Sequence, residues 1–122
     1  MKRYAVLALL VLAGCQSDAT VRSKPPMQSF SSSKSADAAV TCLIPSLQEN
    51  YKAIGAQRFV AQTLAPGKEY DIVPTDGFVN GHYTYTVNVK ADGGGSTISL
   101  FKGQAMLGSI TRSVQAGIRA CL

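Results

Sequence analysis

At 122 residues, 46% of them hydrophobic and 16% charged, the chain has room for one small core and too much apolar content to stay disordered. Its net charge of +5 sits mostly ahead of residue 36, because from Ala36 onward seven basic residues face six acidic ones. No Lys/Arg cluster is present to neutralise phosphates, which argues against a nucleic-acid partner.

In chain order, the first fourteen residues, MKRYAVLALLVLAG, begin with Lys2 and Arg3, run apolar from Tyr4 to Leu12 and end in the small residues Ala13 and Gly14. That order is the layout of a secretory signal peptide. The apolar run is about nine residues, whereas crossing a hydrocarbon core takes roughly 20, so residues 1–14 are read as a leader and not as a retained membrane helix.

The leader ends in Leu12-Ala13-Gly14-Cys15, which resembles the lipobox of bacterial lipoproteins. In that family a diacylglycerol is joined to the Cys thiol, the peptide is cut before it, and the new amino group is acylated. The resemblance implies that Cys15 starts the mature chain and carries a membrane anchor. Each buried acyl CH₂ contributes roughly 0.8 kcal/mol, so several chains hold where one binds only reversibly. In enteric members an Asp directly after the Cys retains the protein in the inner membrane; here Gln16 and Ser17 come first and Asp18 follows. The resemblance therefore implies an outer-membrane anchor with the polypeptide in the periplasm, the inner membrane and the cell surface being the alternatives. Loss of Lys2 and Arg3 would leave ten basic residues against seven acidic, a charge of +3.

Setting Cys15 aside leaves Cys42 and Cys121, an even pair in a compartment that oxidises thiols, and the expectation is a disulfide between them. Residues 15–35 comprise the lipidated Cys and a Ser-rich stretch containing Pro25-Pro26, read as a flexible tether with a reach of roughly 25 Å. The folded domain is expected over 36–122.

Apolar residues at Ala36, Val40, Leu43, Leu47, Tyr51 and Ile54 recur at helical spacing, with Pro45 predicting a kink or restart near Ile44 and Gly55 a stop. On a straight helix Cys42 falls off this stripe. Two β-rich runs, 58–64 and 69–73, are separated by Ala65-Pro66-Gly67-Lys68. Residues 82–90 alternate cleanly, Tyr83, Tyr85, Val87 and Val89 against His82, Thr84, Thr86, Asn88 and Lys90, as in a strand covered on one side. After the glycines of 93–95, residues 96–102 return as a hairpin partner. Met106, Leu107, Ile110, Val114, Ile118 and Cys121 then mark one side of a second helix, with Arg112 and Arg119 off that side. The order predicts an α+β two-layer sandwich, an antiparallel meander of three to four strands with N- and C-terminal helices on one face. This layout is similar to that of short proteobacterial lipoproteins with one Cys in the first helix and one near the C-terminus, a resemblance that implies no particular activity.

Reactive constellations are sparse. His82 is the single histidine, so any Ser/His/Asp or Cys/His arrangement would have to use it, and one His without free cysteines does not make a zinc site. No metal and no cofactor are expected. Asp92-Gly93-Gly94-Gly95-Ser96-Thr97 lacks the ending of a phosphate loop and reads as a hairpin turn. Glu69 and Asp71, two apart on a strand, share a face and are the one carboxylate pair that glycoside chemistry could draw on. The polar strand residues His82, Thr84, Thr86, Asn88 and Lys90 form a candidate partner face. The reading is a lipid-anchored, non-catalytic binding or structural module whose partner is another envelope protein or the cell wall. The alternatives are an inhibitor or immunity protein presenting a loop at 74–81 or 91–96 to a hydrolase, and an enzyme acting on cell-wall sugars.

Overall fold

The computed structural model describes residues 23–50, 58–75, 85–103 and 108–122. Their order is β1 (Gln28–Ser32), α1 (Ala36–Asn50), β2 (Phe59–Ala65), β3 (Glu69–Pro74), β4 (Tyr85–Asp92), β5 (Gly95–Lys102) and α2 (Gly108–Arg119). The strands form one antiparallel sheet in the order β1-β5-β4-β3-β2. Both helices lie against one face of it, giving the expected α+β sandwich, with five strands where three or four were expected. Among the described residues no helix is long and apolar enough to cross a membrane.

The additional strand comes from the segment read as tether. Only one of the five β1 side chains is strongly apolar, Phe30, and it is buried against the core. The strand is held by its ladder to β5, from Gln28 opposite Leu100 to Ser32 opposite Ser96, which needs no apolar composition. Polar side chains tie the exit: Ser32 Oγ accepts from Lys34 N at 3.1 Å, and Ser96 Oγ donates to the Lys34 carbonyl at 2.9 Å. Here Gly95 is required, because a Cβ at that position would stand 2.2 Å from the Ser32 carbonyl oxygen.

Helix α1 begins where Ser35 caps it, its Oγ accepting from Ala38 N at 3.2 Å while its carbonyl accepts from Ala39 N at 2.8 Å. It runs through Pro45 to Asn50 as one helix and does not restart at Ile44. Pro45 is exposed, so the loss of a donor to the Thr41 carbonyl falls on the solvent side. The residues Tyr51, Ile54 and Gly55 lie outside the described ones, as do Met106 and Leu107 at the other helix. Ala36, Ala39, Leu43 and Leu47 form the buried stripe.

Cys42 lies off this stripe because α1 has two contact faces. Its stripe packs on the sheet, with Leu47 also touching α2, while Ser46 meets α2 and Cys42 meets the residues just after it. Cys42 is joined to Cys121, with Cα atoms 5.8 Å apart. One turn further on, Ser46 Oγ donates to the Gly117 carbonyl at 2.8 Å. Gly117 permits this approach, since a Cβ there would sit 3.1 Å from Leu47 Cδ2 and 3.4 Å from the Ser46 carbonyl oxygen.

Between the layers, Leu43, Leu47, Val114, Ile118 and Cys121 pack on Phe30, Ile72, Tyr85, Val87, Val89, Ile98 and Leu100. Burying each such aliphatic side chain contributes roughly 1.5–3 kcal/mol, which makes this layer the main source of stability. The β2–β3 connection is a Pro-Gly turn: Lys68 N donates to the Ala65 carbonyl at 2.9 Å, and Gly67 takes φ 71°, the left-handed conformation a type II turn demands of its third residue. At the β4–β5 turn Gly93 has φ 60°, the first central position of a two-residue hairpin.

The cross-link closes a segment of 79 residues. On the chain-entropy account, removing it by paired Cys42→Ser and Cys121→Ser substitutions should cost about 4 kcal/mol of stability. Urea denaturation of the two forms measures the difference.

Candidate functional site

Opposite the helices, strand alternation puts Glu69, Asp71 and Val73 of β3 beside Thr86, Asn88 and Lys90 of β4. The register sets Glu69 across from Lys90 and Asp71 across from Asn88. Asn88 Nδ2 donates to both carboxylates, to Asp71 Oδ1 at 2.8 Å and to Glu69 Oε2 at 3.0 Å. The pair anticipated from the sequence is therefore real, and one amide holds the two acids within two hydrogen-bond lengths of each other.

The polar face is not solvated along its length. Thr86 and Asp71 are fully buried and Asn88 is 8% exposed, whereas Lys90 is exposed. This differs from the expectation of a face open to solvent at Thr86 and Asn88: alternation identifies the side on which a residue lies, but not whether that side is covered. The remaining candidates of that face, His82 and Thr84, lie outside the described residues, as does Cys15.

Where the face reaches the two hairpin turns, a cleft of about 390 Å³ opens, lined by Ala65, Lys68, Glu69, Lys90, Ala91 and Gly93. The two turns are fastened to each other by Ala91 N donating to the Lys68 carbonyl at 2.7 Å. Two lysines and one glutamate thus line the cleft, and the glutamate's carboxylate is held by Asn88. Glu69 lines it and Asp71 does not. Lys68 was missed by the sequence reading because it belongs to a turn; the type II geometry of Pro66-Gly67 is the signal that brings it beside β4.

Hairpin residues 91–96 make a short turn, braced by Thr97 Oγ1 donating to Asp92 Oδ2 at 3.2 Å. Of the 74–81 segment, only Pro74 and Thr75 are described. Pro74 ends the β3–β4 ladder. Residues Tyr70 and Ile72 turn their backbone groups toward β4, and at the next such position Pro74 has no N–H to give, so the paired register stops at Ile72 opposite Val87. Among the described residues no three His, Cys, Asp or Glu side chains gather as a metal site would require.

On the helix side, the same turn is tied to α1. Tyr70 accepts from Gly67 N at 2.8 Å, and its hydroxyl donates to Asp37 Oδ1 in the first turn of α1. The bond to the Asp37 carboxylate holds the phenol proton and raises the Tyr70 pKa above its ordinary value near 10. The cleft-forming turn and the helix N-terminus therefore share one hydroxyl.

Compared with known proteins, the chain matches no family model, no curated protein and no solved structure.

Two outcomes follow from these contacts. Replacing Asn88 by Ala removes a donor shared by the buried Asp71 and the half-buried Glu69, and should lower stability by about 1–3 kcal/mol in urea denaturation, the usual worth of hydrogen bonds to charged groups. Since its folded-state pKa is raised, the Tyr70 contribution is fully present below about pH 10 and is lost as pH rises through the folded value. Ultraviolet titration should therefore show a phenol ionising above the ordinary range in the native protein and missing from Tyr70→Phe.

Proposed function

We propose that the chain is a lipid-anchored protein of the bacterial envelope, acting as a non-catalytic binding or structural module. The observation that carries this reading is Cys15, placed directly after a basic, apolar and small-residue leader in the run Leu12-Ala13-Gly14-Cys15. The Cys42–Cys121 bond supports it, because disulfides persist in oxidising compartments outside the cytosol. Gln16 in place of Asp after the Cys favours the outer membrane, with the domain in the periplasm.

In this reading the sandwich is a platform carried on a short polar lead, and the cleft of Lys68, Glu69 and Lys90 is a concave feature that a partner could enter. Both charges of the cleft face a partner: the lysines suit carboxylates, and Glu69 suits amines. A protein surface or the peptide part of a cell wall carries both.

Changing Cys15 to Ala should abolish incorporation of labelled fatty acid and move the protein from the membrane pellet to the soluble fraction. Continued acylation or pelleting of that variant would overturn the anchor.

A further inference from the structure

Among the described residues the sheet ends at β2, and β2 is an unguarded edge. Its residues from Val60 to Leu64 are all exposed, with Val60 at 42% and Leu64 at 39% among the largest exposed apolar side chains of the described residues. Edge strands are normally protected by charge or proline, and the run Val60-Ala61-Gln62-Thr63-Leu64-Ala65 contains neither. The opposite edge differs: β1 is preceded by Lys24-Pro25-Pro26, and Gln115 of α2 hydrogen-bonds Gln28 at 2.8 Å.

The ladder states which backbone groups of β2 face outward. Thr75 N donates to the Arg58 carbonyl at 2.9 Å, so Arg58 and Thr75 are a hydrogen-bonded pair. Antiparallel pairs alternate, so Val60 and Gln62 also turn their N–H and C=O toward β3. The Ala91–Lys68 bond on the other side of β3 fixes the same parity independently. Ala61 and Thr63 consequently direct their backbone donors and acceptors away from the sheet.

We propose that β2 pairs antiparallel with β2 of a second copy of the chain, about a two-fold axis through Gln62, joining two five-stranded sheets into one. Three features of the strand select a copy of itself as the occupant. First, its sequence is nearly symmetric about Gln62: the axis sets Val60 opposite the second copy's Leu64 and Ala61 opposite its Thr63, so apolar meets apolar and small meets small. Second, the backbone parity suits that axis. Gln62 lies at a non-hydrogen-bonded position, and on either side of it Ala61 and Thr63 exchange both N–H···O bonds with their counterparts. Third, the strand carries no charge, so it does not repel itself where a like-charged edge would. The bulge between Thr63 and Ala65 limits the ladder to this central stretch, which makes the dimer a reversible one.

Position-specific cross-linking of the full chain in detergent tests the axis. Gln62→Cys should form a disulfide-linked dimer under mild oxidation, since directly opposed residues fall within the Cα separation of about 4.4–6.8 Å that a disulfide spans. Val60→Cys should not, although Val60 is exposed on the same strand, because the two copies of residue 60 would be offset by four residues, roughly 13 Å. The unsubstituted chain gives the background from Cys15. In sedimentation, Gln62→Lys should weaken association at least about tenfold by setting like charges across the axis, with circular dichroism and thermal unfolding unchanged. Equal cross-linking at both positions, no dimer from Gln62→Cys, a chain monomeric at every concentration, or capture of a different protein by Gln62→Cys in cells would each overturn the proposal.

Discussion

The fold depends on the contact between α1 and α2. These helices are far apart in sequence, neither pairs with the sheet through backbone hydrogen bonds, and each needs the other to close the apolar layer. Three interactions of different kinds hold them within about two helical turns: the Cys42–Cys121 bond, the Ser46 hydroxyl on the Gly117 carbonyl, and Leu47 packed where Gly117 has no side chain. A small domain buries too little surface to rely on apolar contacts alone, and a covalent bond at this interface compensates by restricting the unfolded chain.

With the helices fixed together on one side, the polar groups of the sheet collect on the other. The register of β3 and β4 gathers Glu69, Asp71 and Asn88 there, and the two neighbouring turns, fastened through Ala91 and Lys68, shape the cleft. Tyr70 connects the sides of the sheet: its backbone belongs to β3, and its hydroxyl reaches Asp37 at the start of α1. The position of the cleft is thereby coupled to the beginning of the helix that carries half of the disulfide.

Much of this architecture was legible because it repeats at a characteristic period. The alternation around Val87 and Val89, the Pro66-Gly67 turn, the glycines after Asp92 and the stripe of Val114 and Ile118 each signal their own conformation. What escaped was set by partners distant in the chain. Strand β1 has a single strongly apolar anchor, Phe30, and exists because β5 offers it an edge and Gly95 leaves it room. Cys42 looked misplaced when judged against one face, although α1 has two. The carboxylate pair was visible as Glu69 and Asp71, but its shared donor Asn88 became apparent only once the register was known, and alternation could not say that Thr86 and Asp71 are covered.

The position of the cross-link also determines how the molecule responds to tension. Cys42 lies in the first helix and Cys121 just beyond the second, so a force applied between a point ahead of β1 and one beyond Cys121 travels through β1 and the first half of α1, then crosses the sulfur bridge to Cys121. Strands β2 to β5, which contain the cleft and the unguarded edge, fall outside that load path. Stretching can peel away β1 while the disulfide keeps the enclosed segment from being drawn out.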